Sequence, residues 1–158
     1  MNSTHDRLAR ELEALQAAAK ANGEGSVQAL EAALVRVTSL QEVASIGPLL
    51  LLLDDHAEYD ATMFSLIHAA EMFNDAVYVP ALLGVLPELR SSAPRWASIV
   101  LMRVLNSDAS RAALVNKLRV ASSSTKEAAK WLCEKINERS PAFLSKTLPV
   151  LLAAGTTP

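Results

Sequence analysis

The sequence predicts an all-α protein, and three observations support that prediction. Of the 158 residues, 51% are hydrophobic but only 4% are aromatic. Most of the apolar residues are Leu, Ala and Val, and Leu and Ala are strong helix formers, whereas the alternating β-branched and aromatic runs of strands are nearly absent. Apolar residues also recur at the spacing of one helical face, as they do at Leu8, Leu12, Leu15 and Ala19.

An internal period narrows the fold class. The segment Ile46–Leu53 aligns with Tyr78–Leu86, so that Pro48 and Pro80 lie 32 residues apart. Leu82 and Leu86 recur 32 residues later as Leu114 and Leu118. After a further 34 residues the same pair recurs as Leu148 and Leu152. Short helix pairs that repeat at this spacing are typical of solenoids, so we predict a HEAT-like helical-repeat solenoid of about eight to nine short helices. An irregular helical bundle is the alternative.

Domain and helix boundaries follow from length, capping residues and prolines. Residues 1–158 are predicted to form a single all-helical domain, with N-terminal helices at about 4–37 and repeats at about 39–154. Ser39 and Glu42 have the spacing of a capping box at the start of a third helical segment. A fourth helix is expected over about Tyr59–Phe73. Pro80 is expected in the first turn of a helix that ends near Leu89. Runs 106–108 and 122–125 are expected to begin two further helices.

The net charge of −2 conceals a strong asymmetry along the chain. Residues 1–75 contain twelve acids and four bases, whereas residues 76–158 contain five acids and eleven bases. No Lys or Arg occurs between Arg36 and Arg90, although eight acidic residues do. Unpaired like charges repel one another and destabilise a compact state, so this stretch indicates either a basic partner or a match with the basic half of the same chain.

Two patterns within this acidic stretch invite comparison with metal sites. The run from Asp54 to Asp60 resembles a calcium loop but lacks its central glycine and its terminal bidentate glutamate, so we interpret it as a solvated turn. His68 and Glu71 share one helical face, but no second copy of the pair exists to complete a metal site. We expect no metal and no cofactor. A structural hydrogen bond and a place on a binding face remain the two interpretations of the pair.

The sequence shows no catalytic motif, no signal-peptide pattern and no apolar run long enough to cross a membrane. The single cysteine, Cys133, lies in an apolar stretch and is expected in the core, as is Trp96, and no nucleophile motif or phosphate-binding glycine loop occurs. The longest apolar run, Ala44–Leu53, is too short for a membrane span. The first ten residues lack a signal-peptide pattern, so we expect a cytoplasmic protein. Because no catalytic motif occurs, we also expect that the protein is not an enzyme.

Two short stretches carry a resemblance to known proteins. The first is Phe64–Phe73, followed by Tyr78 and the pair Leu82-Leu83. The second is Ala93–Ala97, which leads to Met102–Asn106. Both resemble the centre of the immunity protein 30 family of bacterial proteins, and the resemblance covers about residues 45–118. It implies a non-enzymatic, stoichiometric inhibitor in polymorphic-toxin or contact-dependent growth-inhibition systems. Such an inhibitor binds the C-terminal toxin domain of a cognate effector, often a nuclease.

The resemblance and the charge asymmetry lead to the same candidate site. A nuclease cleft is basic because it attracts phosphate, so an inhibitor with unrelieved carboxylates can mimic nucleic acid. The candidate toxin-binding residues are Asp54, Asp55, Glu58, Tyr59, Asp60, His68, Glu71 and Asp75. The expected partner is a toxin domain, with no nucleic acid and no membrane. The alternatives are a HEAT-like scaffold module that binds another protein and a nucleic-acid-binding repeat that uses the basic half.

Overall fold

The structure, a computed structural model, describes residues 3–21 and 23–156. Throughout these residues the chain forms α-helices and short 3-10 helices with no strand, so the all-α prediction is confirmed. The chain divides into two compact units, residues 1–73 and residues 74–158. No helix in the described ranges is both long enough and apolar enough to cross a membrane.

The first unit contains the acidic stretch, held by four α-helices in its described part. They are α1 (Ser3–Lys20), α2 (Ser26–Ser39), α3 (Ile46–Leu51), which follows a 3-10 helix (Val43–Ser45), and α4 (Asp60–Ala70). Gly23 and Gly25 both have left-handed φ angles, of 95° and 87°, in the turn that separates α1 from α2. α1 packs against α2, and α4 packs against both α2 and α3.

α4 is fixed by an apolar face and by one polar contact. Its buried residues include Met63, Leu66 and Ile67, at the spacing that places them on one side of a helix. On another side, the hydroxyl of Ser65 donates to the carboxylate of Glu31 in α2 over 2.7 Å. α4 is therefore held between its neighbours, and its remaining surface faces solvent.

The second unit contains five α-helices in its described part. They are α5 (Asp75–Ser92), α6 (Pro94–Leu105), α7 (Asp108–Arg119), α8 (Ser123–Arg139) and α9 (Leu144–Ala154), with a 3-10 helix (Pro141–Phe143) before α9. α7 packs against both α5 and α9, and α8 contacts α5, α6 and α9. Packing between successive helices occurs in solenoids and in irregular bundles alike, so the HEAT-like solenoid stays a prediction.

Several sequence-based expectations for helix ends and core residues are confirmed. The Ser107 hydroxyl accepts a hydrogen bond from the Ser110 amide at the start of α7, and Ser122 caps α8 in the same way through the Thr125 amide, both over 3.3 Å. Trp96 and Cys133 are fully buried. Local polar chemistry and apolar patterning were sufficient to locate these features.

Other expected boundaries were wrong. Ser39 does not open a helix: it is the last residue of α2, and its hydroxyl donates to the carbonyl of Arg36 over 2.8 Å. Pro80 does not stand in a first turn, because α5 begins five residues earlier, at Asp75, and continues past it. The fourth helix is also shorter than expected and ends at Ala70 rather than near Phe73.

α5 continues through a second interior proline because a neighbouring helix supplies the missing donor. Pro87 has no amide hydrogen, so the carbonyl of Leu83, four residues earlier, loses its helical hydrogen bond. The hydroxyl of Thr125 in α8 donates to that carbonyl over 3.3 Å in a buried position. A buried carbonyl without a donor destabilises a fold, so this contact compensates for the proline and joins α5 to α8.

The division into units coincides closely with the division of charge. Residues 1–73 contain eleven acids and four bases, whereas residues 74–158 contain six acids and eleven bases. The formal charge is therefore −7 on the first unit and +5 on the second. Each unit consequently presents a field of one dominant sign to its surroundings.

We expect Thr125→Val to lower the free energy of unfolding by about 1–3 kcal/mol, because it leaves the Leu83 carbonyl without its donor. In a Pro87→Ala background, where the helix regains its own amide donor, the same substitution should cost clearly less. Urea unfolding followed by circular dichroism measures all four proteins of this cycle. An equal loss in both backgrounds would show that the hydroxyl does not replace the missing amide.

Candidate functional site

The loop between α3 and α4 contains four of the eight candidate residues, a fifth, Asp60, begins α4, and the loop is ordered by its own polar groups. Asp54 accepts a hydrogen bond from the His56 amide at one carboxylate oxygen, over 2.8 Å, and its carbonyl accepts from the Ala57 amide. The Asp54 amide in turn donates to the sulfur of Met63 in α4 over 3.4 Å. Leu53, immediately before it, is buried. The predicted turn is confirmed, and it is anchored at its first acidic residue.

Most of the acidic side chains from Asp54 to Asp60 are exposed to solvent. Asp54, Glu58 and Asp60 are exposed, and Asp55 is partly buried. Tyr59 is 47% exposed, and its hydroxyl forms a hydrogen bond with the Glu58 carboxylate. That bond and the negative charge of Glu58 raise the pKa of Tyr59 above its ordinary value, so the phenol stays protonated and donates to the carboxylate.

The exposed side of α4 continues the same surface. Asp60, Phe64 and His68 follow one another at four-residue spacing, which aligns them along one side of the helix, and Met72 comes four residues later, just after the helix ends. The rings of Phe64 and His68 lie 6.4 Å apart between their centroids. Glu71 occupies the C-cap position and is partly buried. The helix therefore carries carboxylates at both ends and two rings between them.

Met72 is an exposed apolar residue that was not among the sequence-based candidates. Its side chain is 67% exposed directly after α4, next to the carboxylate of Glu71. An exposed methionine beside charged groups is typical of a binding surface, because its flexible thioether adapts to a partner. The four-residue spacing of Asp60, Phe64, His68 and Met72 was the signal in the sequence that could have revealed it.

Asp75 belongs to the second unit, where it begins α5. Its carboxylate accepts a hydrogen bond from the Ser110 hydroxyl in α7 over 2.8 Å, and the side chain is partly buried. The contact joins two helices within that unit. At the start of a helix a carboxylate also interacts favourably with the helix dipole.

Arg36, the last lysine or arginine before the acidic stretch, already forms an ion pair within the first unit. The guanidinium of Arg36 in α2 pairs with the carboxylate of Glu11 in α1 over 2.9 Å. All four lysines and arginines of the first unit belong to residues 7–36, whereas six of its acids follow Arg36. The sequence asymmetry thus persists within the folded unit.

Several cations of the second unit take part in contacts within that unit. Arg111 donates to the carbonyl of Leu105 at the end of α6, over 2.6 Å, and to the carboxylate of Asp108. Lys126 is buried and donates to the carbonyl of Thr156 over 2.7 Å. Trp131 lies between two more, with the Arg90 guanidinium 5.0 Å and the Lys135 ammonium 5.5 Å from its ring. These cations stabilise helix ends and packing rather than forming one free stripe.

The potential metal ligands and the cysteine can be described from their surroundings. In the described part of the chain, no three His, Cys, Asp or Glu side chains come together as a metal site. Burial, assisted by the negative charge of Glu134, raises the pKa of the Cys133 thiol to about 12. A catalytic cysteine needs the opposite shift, toward the thiolate, so this thiol acts as a small apolar group of the core.

Comparison with known proteins places this arrangement in a family. The sequence profile described as immunity protein 30 matches residues 18–114, well over half of the chain. The chain belongs to the immunity protein 30 family. No curated protein and no solved structure matches it. The matched region runs from the end of α1 into α7, so it contains all eight candidate residues and Met72, whereas α8 and α9 lie beyond it.

We expect Ellman's reagent at pH 8 to modify native Cys133 at least ~100-fold more slowly than the same thiol in urea-unfolded protein, because burial suppresses both the thiolate and access to it. The absorbance of the released thionitrobenzoate measures both rates. A Cys133→Ser variant supplies the blank. Comparable native and unfolded rates would contradict a buried, protonated thiol.

Proposed function

We propose that the chain is an immunity protein that neutralises a toxin domain by binding it through one surface of its first unit. We call this surface the acidic face and define it as Asp54, Asp55, Glu58, Tyr59, Asp60, His68, Glu71 and Met72. One observation supports the proposal above the others. Exposed carboxylates collect on a loop and helix whose sequence neighbourhood contains no lysine or arginine, in a chain whose family is one of immunity proteins.

The electrostatics of the acidic face favour a basic partner. Its carboxylates belong to a unit with a formal charge of −7, and such a field accelerates encounter with a positively charged surface. A nuclease active site is such a surface, because it must attract phosphate. We therefore propose that the partner is a nuclease toxin domain, carried at the C-terminus of a cognate effector and met in the cytoplasm.

The acidic face also contains the apolar groups that a stable complex needs. Charge complementarity mostly sets association rate and partner choice, whereas buried aromatic and methionine side chains contribute much of the affinity. Tyr59 directly precedes α4 and lies between Glu58 and Asp60 in the sequence, whereas Met72 follows the helix and comes directly after Glu71. We propose that both are buried by the toxin. We assign Asp75 a contribution through charge alone, because its carboxylate is engaged by Ser110.

The nucleic-acid-binding alternative has weaker support. Phosphate binding needs a row of accessible cations, but Arg111 and Lys126 donate to backbone carbonyls, and Arg90 and Lys135 lie over one indole ring. The HEAT-like scaffold alternative differs from our proposal only in its partner. Co-purification with the product of the gene directly upstream separates the two, because an immunity gene follows its toxin gene.

We expect the double variant Glu58→Lys with Asp60→Lys to lower the association rate constant for that toxin at least ~10-fold at low salt, with a smaller effect at high salt. Surface plasmon resonance at two ionic strengths measures the effect. The matched control is Glu13→Lys with Glu24→Lys, which makes the same change of charge on exposed residues of the same unit, outside the acidic face. Equal slowing by both double variants would remove the acidic face as the docking surface.

We expect Met72→Ala to raise the dissociation constant for the toxin about 10-fold or more, mainly through faster dissociation, because it removes an apolar anchor. Its free energy of unfolding should stay within about 0.5 kcal/mol of the parent, since the side chain is exposed. Val35→Ala, which truncates a 65% exposed side chain in α2, is the matched control. A Met72→Ala protein that binds like the control would place Met72 outside the interface.

A further inference from the structure

The last helix, α9, exposes a stripe of leucines that the proposed function does not use. Leu144, Leu148 and Leu152 are 55%, 51% and 67% exposed. Their four-residue spacing aligns them along one side of the helix, and the helical repeat places that side opposite the buried Val150. The stripe therefore points away from α7 and α8, against which α9 packs.

The stripe carries no charge. Lys146 is the only charged residue of α9, and its ammonium group donates to the side-chain oxygen of Asn106 over 2.8 Å and lies 5.3 Å from the Phe143 ring. The remaining exposed residue within the helix is the neutral Ser145. Such a surface does not select a charged partner, and it brings no like charges into direct contact with an identical surface, although the formal charge of +5 on each second unit opposes the association at low salt.

The stripe also departs from the burial of the equivalent leucines in the other helices of the second unit. The leucine pair of α5, Leu82 and Leu86, is fully buried, as is the pair of α7, Leu114 and Leu118. The corresponding pair in α9 is exposed. Because α7 packs against both α5 and α9, α9 stands at the end of this row of helices with its outer side uncovered. A further helix with an apolar, neutral face would continue the row.

We propose that the occupant is a second copy of this chain, paired through α9. In an antiparallel arrangement about a two-fold axis, Leu148 contacts Leu148 of the partner subunit and Leu144 contacts Leu152 of the partner subunit. A surface in a two-fold interface must complement itself, and this evenly spaced stripe does so when its direction is reversed. One 11-residue helix contributes less than the ~800 Å² per partner of a standard interface, so the dimer is weak and concentration-dependent.

The dimer and the toxin interface are proposed on different residues. α9 lies outside residues 18–114, which match the family, and it belongs to a different unit from the acidic face. Failure of either proposal therefore leaves the other intact.

Sedimentation equilibrium of the full chain, from about 5 to about 500 µM, tests the association by mass action. We expect the mean mass to rise from one chain towards two, and Leu148→Glu to hold it at one chain. Val35→Glu, which places the same charge on an exposed residue outside the stripe, should behave like the parent. A parent protein that stays at one chain throughout, or a Leu148→Glu protein that associates like the parent, would overturn the proposal.

Disulfide trapping tests the antiparallel geometry, in a Cys133→Ser background that leaves the introduced cysteine as the one thiol. Leu148→Cys should oxidise to a covalent dimer. Leu144→Cys alone should not, because its two copies would lie about 12 Å apart along the axis. A mixture of Leu144→Cys and Leu152→Cys proteins should cross-link. Covalent dimers of Leu144→Cys alone would overturn the antiparallel arrangement.

Toxin binding supplies a further discriminating measurement. We expect Leu148→Glu to bind the product of the upstream gene with unchanged affinity. A weakened toxin complex, together with a parent protein that sediments as one chain, would assign the stripe to the toxin instead of a second copy and refute the dimer.

Discussion

No lysine or arginine occurs from residue 37 to residue 89. The arrangement of the first unit, which contains residues 37–73 of this stretch, depends on that constraint. Carboxylates in that stretch have no cation close in sequence, and Arg36, at its edge, is paired with Glu11. Mutual repulsion of such groups opposes folding, whereas solvent exposure weakens it. The loop before α4 places most of its acidic side chains in water, so the unit tolerates a charge that a binding partner can use.

Order in this loop is as important as its charge. Asp54 is held by the His56 amide and by the sulfur of Met63, and Ser65 ties α4 to Glu31. A surface that is already ordered loses little conformational entropy on binding, so more of the contact energy appears as affinity. The same apolar face that folds α4 into the unit therefore also holds its outer side ready for a partner. α4 therefore contributes both to the stability of the unit and to the proposed binding surface.

The sequence predicted the helical class, the acidic turn, the Ser107 and Ser122 caps and the burial of Trp96 and Cys133, because each depends on local chemistry or composition. It placed Pro80 at a helix start, since a proline inside a helix is locally unfavourable. α5 nevertheless contains two prolines, and the Leu83 carbonyl freed by Pro87 finds a donor in Thr125, 42 residues away. The exposure of Met72 and of the α9 leucines likewise depends on which helices pack together. The period in the sequence does not contain that information.

The positions of the two tryptophans have a practical consequence for spectroscopy. Trp96 and Trp131 both belong to the second unit, so indole emission arises there alone, whereas the acidic face lies in the first unit. Thermal or chemical melting observed by fluorescence therefore follows one half of the molecule, while far-ultraviolet ellipticity averages over both. Superimposable traces from the two probes indicate that the halves melt as one cooperative body, and separated traces identify which half yields first.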